Sequence, residues 1–250
     1  MGEQPVPDLL RTNPSDLISE YFLRVNARHE PVDIIEEVVA AIFDQGNGLE
    51  HREFHLASLL YSIPEPSVEY IVALVKAVLK VDGFLDREKI PLTPKNGHQV
   101  VSVAGSGKKG VKTINISTPA AIVAVSMGAH VVKHASRATS SVSGSSDFFN
   151  EVGGLILDPD ATVKVFDQTG FGLFSIEGVV PKFDALYGGR VLVPSALSYA
   201  LPAAISPVRT DAILYGFSMP RLKESVLAIH ELGFKEAIVA NSTEDGVKYI

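Results

Sequence analysis

Between residues 16 and 90, apolar side chains recur every three or four positions, in blocks separated by turn-forming residues. Ile34, Ile35, Val38, Val39, Ile42 and Phe43 form one face of an amphipathic helix that stops near Gly46 and Gly48. Phe54, Leu56, Leu59 and Leu60 form a second, ended before Pro64. Val68, Ile71, Val72, Leu74, Val75, Val78 and Leu79 form a third after Pro66 and Ser67. Pro5, Pro7 and Pro14 read as an irregular lead-in that ends at a cap, Ser15 followed by Asp16. Short connections between such helices predict an antiparallel bundle.

The rhythm changes at Pro91, Pro94, Asn96 and Gly97, which read as a linker. Beyond it, short β-rich runs alternate with helical ones. Strands are predicted at Gln99 to Ala104, His130 to Val132, Leu155 to Leu157, Phe171 to Ser175, Ala212 to Tyr215 and Ala237 to Ala240. Helices are predicted from Pro119 to Met127, from near Ser145, from Ala161 to Gln168 and from Pro220 to Leu232. That alternation predicts an α/β architecture: an N-terminal helical bundle domain (1–92) and a larger, mainly parallel sheet flanked by helices (98–250). Residues 176–208, broken by Pro181, Pro194, Pro202 and Pro207, read as short helices or a crossover that packs on the helical domain.

The composition narrows the function classes. The chain of 250 residues carries a formal net charge of -7, against a broad nucleic-acid footprint, which needs clustered Lys and Arg on the binding face. One basic cluster stands out, Lys108, Lys109 and Lys112 with Lys133 and Arg137, and it suits a small anionic ligand. With no cysteine, disulfides and thiolate chemistry are excluded. No apolar run reaches the roughly 18 residues of a membrane span, and no signal pattern opens the chain, so the expected compartment is the cytoplasm. His51 with His55 and His130 with His134 fall four apart, but neither pair has Glu after the first His as the zinc-protease signature requires.

The chemistry gathers in two loops. Gly105, Ser106, Gly107, Lys108, Lys109 and Gly110 follow a predicted strand. Glycines there allow successive N–H groups to point at one anion, and the lysines add charge. The Gly-Lys-Ser/Thr ending of a Walker A loop is missing, and no acidic residue follows to hold a ribose as in a dinucleotide fold. Asn115, Ser117 and Thr118 precede an apolar helix. They read either as a second anion site at its free N–H groups or as plain N-capping by Ser117 or Thr118. The second loop holds Lys133, His134, Ser136, Arg137, Thr139, Ser140, Ser141, Ser143, Gly144, Ser145, Ser146 and Asp147. It is either a sugar-phosphate site or a solvated turn capped by Ser145, with Asp147 at the positive end of the helix dipole. For His134 alone, the commoner role is a histidine satisfied at a strand end.

Two motifs in these loops carry a resemblance. A-G-S-G-x-x-G-x-x-T-I-N-I-S-T from Ala104 and K-H-x-x-R-x-x-S-S-x-S-G-S-S-D from Lys133 resemble anthranilate phosphoribosyltransferase and its relatives, including the structurally related nucleoside phosphorylases. The resemblance implies phosphoribosyl pyrophosphate bound between the two domains and an aromatic amine attacking the anomeric carbon. It implies donor contacts at Gly105, Ser106, Gly107, Asn115, Ser117, Thr118, Lys133 and Ser145, with Ser117 also facing magnesium; Lys108 and Lys109 are added to the donor side as cations of the loop, not by the resemblance. On the acceptor side it implies Arg190, beside which His134 and Ser136 are this chain's own candidates, and it implies a dimer formed through the helical domain, whose apolar stripe reads equally as core.

The departures from the family pattern matter as much. Where the family has Gly-Gly-Asp, this chain has Gly107-Lys108-Lys109, and Gly-Asn after Lys-His becomes Ala135-Ser136. The family's His-Pro is Val180-Pro181, a later lysine is Val142, and an Asp-Glu magnesium pair is Lys248-Tyr249. Lys109 and Lys248-Tyr249 therefore weaken the expectation of Mg2+. The reading is a phosphoribosyltransferase-like protein whose acceptor is not anthranilate. Its alternative is a non-catalytic relative that binds a sugar phosphate or pyrophosphate. A homodimer, or a partner chain completing the C-terminal part, is expected, with neither nucleic acid nor membrane as partner.

Overall fold

The computed structural model describes residues 13–94, 97–105, 115–138, 143–243 and 246–250. Four helices come first: α1 (Pro14–Asn26), α2 (Ile35–Phe43), α3 (Arg52–Tyr61) and α4 (Val68–Val81). The cap of α1 is Asn13, whose side chain accepts the Ser15 N–H at 3.0 Å, so the predicted cap at Ser15 falls inside the helix. The reason is Pro14, which fits a first helical position because its missing N–H would be unpaired there anyway. Helix α4 is the hub of this layer. Capped by Ser67, it buries Tyr70, Ile71, Leu74, Val75 and Val78 against α2 on one side and later elements on the other. Each such side chain stabilises the fold by about 1.5–3 kcal/mol through burial.

The sheet has six strands in the order β3-β2-β1-β4-β5-β6. These are β1 (Val100–Gly105), β2 (His130–Ala135), β3 (Phe171–Ser175), β4 (Ala212–Gly216), β5 (Glu236–Thr243) and β6 (Gly246–Tyr249). The first five run parallel and β6 pairs antiparallel with β5. Helix α5 (Ser117–Ser126) joins β1 to β2, while α6 (Ser145–Glu151) and α7 (Pro159–Thr169) join β2 to β3. The Phe149 ring of α6 lies 5.9 Å from Phe171, and a Cβ at Gly172 would meet Thr162 and Phe166 of α7. Phe171 and Gly172 are consecutive in β3 and so point to opposite faces, which puts α6 and α7 on opposite sides of the sheet.

Burial differs between the halves of the sheet. All six residues of β2 are buried, as expected for a parallel strand covered on both faces. By register, Leu214 and Ile238 share a face with Val103 and Lys133, and they are 42% and 55% exposed. On the other face, α11 (Leu222–Glu231) packs on β5 and also reaches α4.

The predicted strand at Leu155–Leu157 is not formed. The place beside β2 is taken by β3, and the apolar run instead makes an irregular connection after the left-handed Gly153, with Leu155 exposed. Periodicity cannot separate such a run from a buried strand. The hairpin strand β6 is an element the apolar pattern does not predict. Residues 176–208 hold α8 (Ile176–Val179), α9 (Pro181–Tyr187), a 3-10 turn (Ala196–Tyr199) and α10 (Leu201–Ala204). Helix α9 packs on α3 and α4, the 3-10 turn on α4, and α10 on β1.

Candidate functional site

Chain order reverses between β1, which leads to β2 and β3 on one side, and β4, which leads to β5 on the other. The carboxyl ends of strands at such a switch point form the ligand crevice of open α/β sheets. Gly105 ends β1 there, in register with Gly216 at the end of β4. A Cβ at Gly105 would meet the Gly216 carbonyl at 3.9 Å, an ordinary van der Waals contact, so crowding there does not demand glycine. Ser106, Gly107, Lys108 and Lys109 lie outside the described residues.

Asn115 ties the next parts together. Its Nδ2 donates to the Gly144 carbonyl at 3.0 Å and to Ser145 Oγ at 3.5 Å, while its Oδ1 accepts the Thr118 N–H at 3.3 Å. One side chain thus joins the starts of α5 and α6. Neither Ser117 nor Thr118 caps α5, because the helix begins at Ser117, two residues before Pro119. Asn115 takes the capping bond instead, and the hydroxyls are left for other work. Ser117 is exposed. Thr118 Oγ1 and Ser146 Oγ are buried and make no hydrogen bond among the described residues.

The second loop is closed at its neck. Asp147 Oδ2 accepts N–H groups from both sides of it, Ala138 at 2.6 Å and Gly144 at 2.8 Å, and Ser146 N donates to the Ser136 carbonyl at 3.1 Å. Gly144 is required at this neck, since a Cβ there would lie 2.3 Å from the Ser136 oxygen. Glu177 Oε1 accepts the Arg137 N–H at 3.1 Å and lies 3.4 Å from its Nε. Residues 139–142 lie outside the described residues, and Ser136 and Ser145 sit half-buried on either side of them.

Lys133 and His134 leave β2 beneath this loop. Lys133 is 1% exposed and its Nζ donates to the His134 carbonyl at 2.5 Å. His134 Nε2 is 2.6 Å from Ser102 Oγ on β1, both side chains being buried. Burial, with the Lys133 charge second, pushes the His134 imidazole down to about 3, so the ring is neutral. A hydrogen bond with the Ile205 backbone opposes that shift without reversing it. Arg190 is exposed in the turn after α9. No hydrogen bond joins its side chain to the other predicted residues among those described.

The structure therefore brings Asn115, Thr118 and Ser145 together at the two helix starts. Gly105, Lys133 and His134 stand on the neighbouring strand ends. Sequence reading missed Ser102, although it is the one polar residue in the run Val100 to Ala104, a signal that was available. The sequence signal at Asp147 is the helix dipole, whereas the structure makes it the neck of the loop. Among the described residues no group of three or more His, Asp or Glu comes together. Ser117 offers one neutral oxygen. No helix among the described residues is long and apolar enough to cross a membrane.

Fold and strand-end crevice define a doubly wound α/β protein that carries a helical layer. The chain belongs to the glycosyl transferase family with an a/b domain, matched over residues 97–248. Similar sequences are anthranilate phosphoribosyltransferases. That of Helicobacter pylori (strain HPAG1) is 34% identical, over 83% of this chain and 65% of its own length. That of Pyrobaculum arsenaticum is 34% identical over 58% and 44%, and that of Corynebacterium efficiens 30% identical over 90% and 65%. The chain thus spans less than two thirds of the length of these relatives. Among solved structures, the Saccharomyces cerevisiae enzyme in complex with PRPP and Mg superposes with a TM-score of 0.74 at 18% identity, covering 95% of this chain and 68% of that one. The Thermus thermophilus enzyme gives 0.69 at 20%, covering 94% and 72%. At these identities the superpositions speak for the fold.

Proposed function

We propose that the protein binds phosphoribosyl pyrophosphate at the joined starts of α5 and α6, between a helical domain (1–92) and an α/β domain (98–250), and transfers the phosphoribosyl group to an aromatic amine other than anthranilate. The observation that carries the reading is the pair of buried hydroxyls, Thr118 Oγ1 and Ser146 Oγ, without a partner among the described residues, beside the two helix starts that Asn115 joins. Buried polar atoms without partners are rare, and an anion accepting from both hydroxyls satisfies them together. Gly105, Ser106, Gly107, Lys108, Lys109, Ser117, Lys133 and Ser145 complete the donor side in this proposal.

In the reaction, a C–N bond forms at the anomeric carbon as the C–O bond to pyrophosphate breaks. Pyrophosphate leaves with the electron pair, and the acceptor nitrogen gives up a proton. No covalent intermediate is needed, so the protein contributes positioning and charge neutralisation. Lys108 and Lys109 supply counter-charge where the family motif has an acidic residue. His134, Ser136 and Arg190 form the acceptor side, Arg190 holding a carboxylate through its planar fork. Ala135-Ser136 and Val180-Pro181, in place of Gly-Asn and His-Pro, are the departures that favour another acceptor. A cytoplasmic homodimer goes with this reading, and light scattering on the purified chain checks the dimer.

Calorimetric titration with phosphoribosyl pyrophosphate, with and without magnesium, tests the donor site, and heat in neither condition sinks it. A second reading, a non-catalytic binding protein, is favoured by Lys248-Tyr249 standing where the family has Asp-Glu. Pyrophosphate release with a panel of aromatic amines separates the two.

A further inference from the structure

Helix α9 begins without a cap of its own. Val180 before it makes no side-chain bond, and Pro181 opens the first turn. The N–H groups of Lys182 and Phe183 are nevertheless satisfied, by a residue about a hundred positions earlier. Asp82, which closes α4, accepts from Lys182 N through Oδ1 at 2.8 Å and from Phe183 N through Oδ2 at 2.9 Å. The carboxylate is 7% exposed, and its own backbone carbonyl accepts from Arg87 Nη2 at 2.7 Å. A negative charge at the positive end of a helix, bonded through both oxygens, is a strong and directional contact. The C-terminal end of the helical layer's hub thus serves as the N-terminal cap of a helix in the crossover.

Helix α9 in turn carries the next residues. Phe183 stacks on Tyr187 at 4.6 Å and lies 6.0 Å from Phe43 of α2, fixing the helix's roll. The chain then turns through the left-handed Gly189 into Arg190, whose N–H donates to the Tyr187 carbonyl at 3.3 Å. With no side-chain hydrogen bond of its own among the described residues, Arg190 takes its place from α9. We infer that Asp82 is a positioning residue for the acceptor side: by fixing the start of α9 it sets where Arg190 presents its guanidinium to an aromatic carboxylate. The inference rests on the acceptor role proposed for Arg190.

The test uses the full chain and three variants, Asp82→Ala, Asp82→Asn and Arg190→Ala. Hydrogen exchange followed by mass spectrometry reads α9 directly, without any ligand. Asp82→Ala is expected to speed exchange in residues 181–190 about tenfold or more, with the strands unchanged, and Asp82→Asn, which keeps one acceptor oxygen, to fall between. Calorimetry with 4-aminobenzoate as the probe, an aromatic amine carboxylate other than anthranilate, in the presence of phosphoribosyl pyrophosphate, reads the consequence. Asp82→Ala and Arg190→Ala are each expected to weaken the probe about tenfold, and the double variant no further, because both act through one group. Donor affinity should stay within about twofold.

Unchanged exchange at 181–190 in Asp82→Ala overturns the inference. So does an equal loss of donor and probe affinity, which marks general loosening, or an additive double variant. If the unmodified chain binds the donor but no aromatic carboxylate, the acceptor role of Arg190 falls and the positioning inference falls with it. The exchange result then still decides whether Asp82 holds α9.

Discussion

Two sets of buried polar atoms in this molecule meet opposite fates. In the helical layer the Tyr21 hydroxyl contacts both Tyr70 OH and Ser62 Oγ, the latter at 2.9 Å, and Ser62 passes its own proton to the Leu59 carbonyl at 2.8 Å. Burial pushes both phenols up, so they stay neutral donors. At the strand ends, Thr118 Oγ1 and Ser146 Oγ are as deeply buried and have no partner among the described residues. Leaving a buried polar atom unpaired costs about 1–3 kcal/mol. The first set serves the fold alone. The second weakens the fold at the place where a ligand would complete it.

The largest expected effect separates binding from stability. Replacing both orphan hydroxyls, Thr118→Val with Ser146→Ala, should weaken phosphoribosyl pyrophosphate about a hundredfold, near 2.7 kcal/mol, while leaving the melting temperature equal or higher. Titration calorimetry beside thermal unfolding reads both quantities, and a variant that binds normally but melts early reverses the assignment.

Next comes a pH dependence. The His134 ring titrates near 3 when folded, below the ordinary value near 6.5 of an unfolded chain. The unfolded state therefore takes up a proton first, and stability present above about pH 6.5 is lost as pH falls toward 3, at about 1.4 kcal/mol per unit. Between pH 7 and 5 this amounts to about 2 kcal/mol, which His134→Asn should remove. Parallel urea midpoints for the two proteins across that range would show that the ring is not shielded.

The smallest effect belongs to the satisfied set. Tyr70→Phe removes one bond and leaves Tyr21 with Ser62, for a loss of about 1 kcal/mol and a drop of about 2–4 °C in melting temperature, with donor binding untouched. A change in donor affinity here would erase the contrast between the two sets.

Much of the fold could be read from apolar spacing, because α2, α4 and the parallel strands each bury one continuous pattern. What escaped lacked a local signal. Leu155 to Leu157 has the composition of a strand, yet β3 holds the only free place beside β2. The hairpin partner β6 has no such apolar run. In the site, Asn115, Thr118 and Ser145 could be named from residue type and order, because glycines, hydroxyls and a helix start already imply an anion. The pairing of Ser102 with His134 crosses 32 positions, and Asp82 caps a helix about a hundred positions away; only the folded arrangement of layers brings such residues together.

The central strand also sets a timetable. β1 finds β2 soon after it is made, but its other edge must wait for β4: Val100 N donates to Asp211 Oδ2 across 111 positions, and Val101 pairs with Ala212. At roughly 5–20 residues per second on a ribosome, that edge stands open for roughly 6–20 s after β1 emerges. Throughout that interval the nascent chain shows an unpaired apolar strand edge, so the middle of the finished sheet is, during synthesis, an edge.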